Sequence, residues 1–151
     1  MRVKAAIGTL WMLAASALLF SEEGKFEKSF PPPHGGDEKL GFSRGGCSVL
    51  SVTVRNFPSR EDIDKARSKD PNDKSWVWWD FHVENRGNVE CKISLWVDIF
   101  DKNGKAVKSS DRSGSVNAGK MDDNIRMSAR MRTLDIADSP KATVRAQIGP
   151  K

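Results

Sequence analysis

The run WVWWDFHVENRGNVECKISLWVDIF, from Trp76 to Phe100, holds four of the chain's five tryptophans and alternates in polarity along most of its length. A period of two belongs to extended backbone, whose successive side chains point to opposite faces. Val77, Trp79, Phe81 and Val83 make one apolar row, and Cys91, Ile93, Leu95 and Val97 make another. A three-residue loop at Arg86-Gly87-Asn88, with glycine in the left-handed region, predicts a hairpin. Val83 then faces Cys91, Phe81 faces Ile93, Trp79 faces Leu95 and Val77 faces Val97, so every inner pair is apolar. The outer face pairs His82 with Lys92, Asp80 with Ser94 and Trp78 with Trp96. A slip of one residue would turn one whole strand inside out, so the pattern specifies its register. Trp79 is expected in the core, and Trp78 with Trp96 as a cross-strand aromatic pair outside.

The N-terminus sets the compartment. Arg2 and Lys4 precede AAIGTLWMLAASALLF, a run of 16 apolar or small residues that ends at Ser21-Glu22-Glu23-Gly24. A basic start, an apolar stretch and a polar exit match a secretory signal peptide over residues 1–20, with cleavage near 17–20. Retention as an anchor is the alternative, although a bilayer span takes ~20 residues. Loss of Arg2 and Lys4 would reduce the formal charge from +5 to +3. That bias is too small to imply nucleic acid, and membrane contact is expected only if the N-terminal segment stays uncleaved.

Residues 21–46, SEEGKFEKSFPPPHGGDEKLGFSRGG, combine a proline run and two Gly-Gly pairs with charges and no regular period. They read as a flexible linker or arm, with Phe26, Phe30 and Phe42 able to tether it to the domain. Residues 47–151 read as the domain. SVLSVTV is a strand with Leu50, Val52 and Val54 inward. A polar insert follows, with a turn or two of helix near Glu61–Ser68. Asp101-Lys102-Asn103-Gly104 is a hairpin turn leading to a short strand near Lys105–Lys108. Ile125, Met127, Ala129 and Met131 alternate with polar residues, as do Ala142, Val144, Ala146 and Ile148. Six or seven such strands separated by turn signals indicate an all-β, antiparallel, immunoglobulin-like sandwich.

In an exported chain, Cys47 and Cys91 are expected to form a disulfide. Cys47 has the wrong parity for a regular strand through Leu50, Val52 and Val54. The bridge therefore requires that Cys47 precede that strand or that a bulge intervene.

From Trp79 to about Ala129 the chain resembles FxLYD-type domains, small immunoglobulin-like sandwiches on exported bacterial proteins. Asn85-Arg86-Gly87 is similar to that family's N-x-G turn, and Val97-Asp98-Ile99-Phe100-Asp101 running into Lys102-Asn103-Gly104-Lys105 resembles F-x-L-Y-D before a D-G turn. Asn117-Ala118-Gly119-Lys120 sits where the family has a loop like P-G-E. Val stands for Phe, Phe for Tyr and Lys120 for the acidic residue. The resemblance implies a fold and an envelope setting, and no catalytic residues.

Candidate sites are of binding type. Outward indoles at Trp78 and Trp96 mark a contact surface for an envelope protein, or a platform on which a carbohydrate-binding module would stack sugars. Cover by the arm or the polar insert is the structural alternative. Arg126, Arg130 and Arg132, with Arg145, are expected to share one outer face as a basic stripe suited to carboxylates or phosphates. His82 has Asp80 and Glu84 two residues away on either side but lacks a third ligand, so neither a metal site nor acid–base chemistry is expected. Asp62, Asp64, Asp70 and Asp73 lack the spacing of a calcium loop. No cofactor is implied, and an exported, non-catalytic binding or assembly module of the cell envelope is the expectation.

Overall fold

The alternating segments pair into two antiparallel sheets in the computed structural model, which describes residues 23–32 and 34–151. Chain order is β1 (Lys25–Phe30), β2 (Asp37–Arg44), β3 (Cys47–Arg55), α1 (Arg60–Ser68), β4 (Lys74–Asn85), β5 (Cys91–Phe100), β6 (Ala106–Val116), β7 (Asp123–Arg132), α2 (Thr133–Ala137) and β8 (Lys141–Pro150). One sheet has the order β1-β8-β5-β6 and the other β2-β3-β4-β7. The result is an all-β sandwich of eight strands where six or seven were expected. Its connectivity is immunoglobulin-like. The chain crosses between sheets after β1, β4, β6 and β7, and β1 occupies the edge beside β8 that a last strand would otherwise take. Residues 1–20, read as a signal peptide, lie outside the described residues. Among the described residues no helix is long and apolar enough to cross a membrane.

Parity holds on β4, β5, β7 and β8. Val77, Trp79, Phe81 and Val83 are fully buried on β4, and Cys91, Ile93, Leu95, Val97 and Ile99 are buried on β5. β7 and β8 bury the expected rows, Ile125 to Met131 and Ala142 to Ile148. The expected hairpin does not form. β4 pairs with β3 and β7, whereas β5 pairs with β6 and β8. Two facing sheets bury the same alternation as one folded ribbon, so the pattern had two solutions and the chain takes the other.

The corner between β4 and β5 is built around Asn85. Its buried side chain donates to the carbonyls of Val89 (2.8 Å) and Val116 (3.0 Å) and accepts the Gly87 N–H at 2.9 Å. Gly87 is not in the left-handed region. A side chain there would meet the Gly45 carbonyl at 2.9 Å, so glycine is required by close backbone approach. Arg86 N–H donates to Gly46 O (2.8 Å) and Asn85 N–H to Lys120 O (2.6 Å). Three loops therefore meet at one end of the sandwich. Beside them Cys47, at the start of β3, is bonded to Cys91, at the start of β5, which joins the two sheets covalently. Of the two conditions open to this bridge the chain takes the bulge: the β3 register shifts between Val49 and Ser51. Cys47 and Val49 point inward before it, Val52 and Val54 after it, and Leu50 is correspondingly only half-buried instead of inward.

Residues 21–46 were expected to be an arm, but 25–44 supply two edge strands. β1 pairs with β8 and β2 with β3, and Phe26, Phe30, Leu40 and Phe42 enter the core. The three phenylalanines foreseen as tethers are core residues, with Phe26 stacked on Phe42 at 5.3 Å. β6 runs well beyond Lys108. Opposite the buried Leu95 and Ile93 it places the exposed Arg112 and the half-buried Gly114, so it carries no apolar row to be read. Helix α1 begins where expected, with Ser59 and Asp62 closing a reciprocal cap. The short α2 was not anticipated, and its Ile136 is buried, as is Ala66 of α1.

Joining residues 44 apart, the Cys47–Cys91 bond should contribute about 3–4 kcal/mol by restricting the unfolded chain. Urea unfolding with and without reductant is expected to show that loss; an unchanged midpoint would contradict it. Asn85→Ala removes two side-chain donations and one acceptance at the sheet-switching corner. It should cost about 2–4 kcal/mol without altering any outer face, measured by the same unfolding curves.

Candidate functional site

Because β4 and β5 lie in different sheets, Trp78 and Trp96 do not pair. Trp78 points outward from the β2-β3-β4-β7 sheet and Trp96 from the β1-β8-β5-β6 sheet, on opposite sides of the molecule. The expected cross-strand indole pair is therefore overturned, and with it a sugar platform made of those two rings. The basic stripe is also divided. Arg126, Arg130 and Arg132 alternate along the exposed face of β7, whereas Arg145 stands on β8 in the other sheet. β7 and β8 follow one another in sequence, but the connection through α2 changes sheets.

Each face repeats one arrangement. On the first, Arg126 lies 5.0 Å from the centre of the Trp78 ring and forks onto Asp80, Nε to Oδ1 at 2.6 Å and Nη2 to Oδ2 at 3.1 Å. On the second, Arg145 lies 5.6 Å from the Trp96 ring and donates to Asp98 at 3.0 Å. In both, an aspartate two residues after the tryptophan fixes a guanidinium from the neighbouring strand, and that cation sits over the indole. Intramolecular cover of these rings thus comes from arginine. The segment expected to be an arm adds to the surroundings of Trp96. There, β1 residues Lys25 and Glu27 join Trp96, Arg145 and Gln147 around a shallow pocket of about 320 Å³.

Asp80 holds more than one partner. Arg55 of β3 donates to its Oδ2 at 2.5 Å, so two guanidiniums share one nearly buried carboxylate. The Arg126 hydrogen bond, chiefly, and that of Arg55 hold the Asp80 carboxyl below the usual range, against the opposing effect of burial. The same contact raises Arg126. Asp80 and Glu84 flank His82 as expected, but both are engaged elsewhere: Asp80 as described, and Glu84 by Arg86 at 2.8 Å. His82 itself is half-buried, with Nε2 3.7 Å from Asp122. Among the described residues no group of three or more His, Cys, Asp or Glu side chains is placed to hold a metal.

What the sequence reading missed is Trp76. It shares the parity of Trp78, lies two residues before it on the same outward face, and at 51% is more exposed than Trp78 at 37%. Strand geometry puts the two about 7 Å apart along β4. Directly across the ladder from Trp76 stands Arg130, exposed and without an ion-pair partner among the described residues. Lys74 and Arg132 form the next rung, Arg132 lying 3.9 Å from Asp135. The signal for it is local: Trp76 has the even parity of Trp78 on the same strand.

These features define the class: an all-β sandwich with an open aromatic and basic sheet face. No protein-family model matches the chain, and no curated protein matches it. Among solved structures, the chain aligns with the enzymatically active domain of tailspike protein 4 from bacteriophage CBA120 at 6% identity and a TM-score of 0.24. That alignment covers 85% of this chain and 17% of the other. A likeness of that size carries no argument about fold or function.

The depressed Asp80 pKa has a signed consequence. A carboxyl whose folded value lies below its unfolded value of ~3.9 contributes stability that is complete above that pH and is lost as pH falls through the folded value. Native protein should therefore be more stable than Asp80→Asn at pH 6, with the gap closing as pH is lowered toward 2. Urea midpoints across that range test this, and a gap independent of pH would assign the difference to packing.

Proposed function

We propose that the protein is an exported, non-catalytic binding or assembly module of the cell envelope, acting through the outer face of the β2-β3-β4-β7 sheet. The observation that carries the proposal is the open strip Trp76–Trp78–Arg130 on β4 and β7. It exposes two indoles on regular strands, where no fold requirement places them. Export is supported by the N-terminal sequence and by a disulfide that persists in oxidising compartments, periplasmic or extracellular. The resemblance to FxLYD-type domains belongs to the same proposal. Its Val97–Asp101 run ends β5 in a tight turn, where Asp101 Oδ1 accepts the N–H groups of Asn103 (2.8 Å) and Lys105 (3.0 Å). The partner is an envelope protein or glycan, with no cofactor and no nucleic acid.

Membrane-free envelope extract passed over immobilised protein provides the test. The Trp76→Ala/Trp78→Ala double variant should lose at least about 90% of the retained material while keeping the native melting transition, since aromatic anchors concentrate binding energy. Trp96→Ala should retain it. Equal retention by the double variant would remove this face as the binding surface.

A further inference from the structure

The two exposed indoles of this face are not equivalent. Trp78 has Arg126 over its ring, and that guanidinium is fixed by the fork onto Asp80. An incoming flat group would have to break a two-point ion pair to reach that face of the ring. Trp76 has no such cap, and the cation across the ladder from it, Arg130, forms no ion pair among the described residues. On the outward positions of β4 from 74 to 80 and of β7 from 126 to 132 stand four cations, Lys74, Arg126, Arg130 and Arg132. On those positions the one carboxylate is Asp80, which Arg126 and Arg55 already neutralise, and Asp135, just beyond β7, lies 3.9 Å from Arg132, which leaves Lys74 and Arg130 without an ion-pair partner among the described residues. The surplus of positive charge therefore collects at the Trp76 end of the strip.

Resting on the binding-module reading above, we propose that Trp76 and Arg130 are the contact point for an acidic polysaccharide, one whose sugar rings carry carboxylates. A sugar ring presents a flat face of C–H groups that stacks on an uncapped indole, and a ring carboxylate reaches an adjacent guanidinium in two-point geometry. Lys74 and Arg132, on the next rung, continue the positive track for the neighbouring sugar. The surroundings disfavour other occupants. An apolar protein interface needs a desolvated core around its aromatic anchor, and here Lys74, Arg130 and Arg132 occupy the neighbouring outward ladder positions. Insertion into an anionic bilayer suits an indole at a loop tip, whereas Trp76 lies on a regular strand flanked by β7.

Affinity electrophoresis of the full domain through gels containing polygalacturonate tests this, with neutral galactan, poly-glutamate and phosphatidylglycerol vesicles as separate arms. Polygalacturonate should retard the native protein, less so as salt rises. Trp76→Ala and Arg130→Gln should each weaken that retardation about tenfold or more, Arg130→Lys less, and Trp96→Ala not at all. All three positions are at least partly exposed and none contributes to the buried core, so an unchanged melting transition is expected. The proposal is overturned by absence of retardation, by retardation that survives Trp76→Ala, by equal retardation in poly-glutamate or galactan, or by binding to vesicles alone. If polygalacturonate fails while envelope material is still retained in a Trp76- and Trp78-dependent way, the acidic-glycan assignment falls and the binding-module reading stands.

Discussion

The structure depends on the corner at which the chain leaves one sheet for the other, between Asn85 and Cys91. A backbone turning from strand to strand inside a sandwich exposes peptide groups to an apolar interior unless they find partners. Here a single buried amide, Asn85, supplies two donors and one acceptor to the loop and to the end of β6. The Gly45-Gly46 turn and Gly87 approach so closely that no side chain fits between them. The Cys47–Cys91 bond then joins β3 and β5 across the core at that end. With the corner fixed, β4 and β5 face each other through their side chains and do not share a ladder, and each presents its even-numbered residues to solvent on a separate side.

That placement explains the distribution of tryptophans. Trp79 fills the interior from β4, while Trp78 and Trp96 are surface residues that the protein has partly covered from within. The cover is polar and economical. An aspartate two positions along the strand holds an arginine over the ring, which adds a cation–π contact of roughly 0.5–1 kcal/mol to an ion pair. At Asp80 the arrangement is tighter, because a nearly buried carboxylate shared by two guanidiniums would leave unpaired charge if either were removed. Trp76 lacks this cover. Its exposure is therefore an exception to a rule that the same molecule follows twice, which is the physical reason to assign ligand contact to it before the other two.

The other end of the chain shows how a surface is completed. β1 and β2 come from a segment rich in proline, glycine and charge, yet Phe26, Phe30, Leu40 and Phe42 from it close both edges of the core. Their contribution is tertiary. Each strand carries only two apolar residues and depends on a neighbour already in place, β8 for one and β3 for the other. On the opposite side β6 is a polar edge strand whose charges and small residues discourage pairing with another chain.

Sequence alone determined which side chains point inward on the long strands, since alternation is a local property of extended backbone and needs no knowledge of partners. It determined the place of α1, the turn at Asp101–Lys105, and that a Cys47–Cys91 bridge would need Cys47 to precede the regular strand or an irregularity, which the bulge after Val49 provides. Tertiary structure decided everything that concerns who pairs with whom. A row such as Val77 to Val83 is equally satisfied by a hairpin partner or by a facing sheet, so the separation of Trp78 from Trp96, and of Arg145 from Arg126, Arg130 and Arg132, was not encoded in any local pattern. Nor was the difference between a capped indole at Trp78 and an open one at Trp76. That difference arises from where Asp80 and Arg126 meet across a ladder, and residues 46 apart in the chain become neighbours only when the fold is complete.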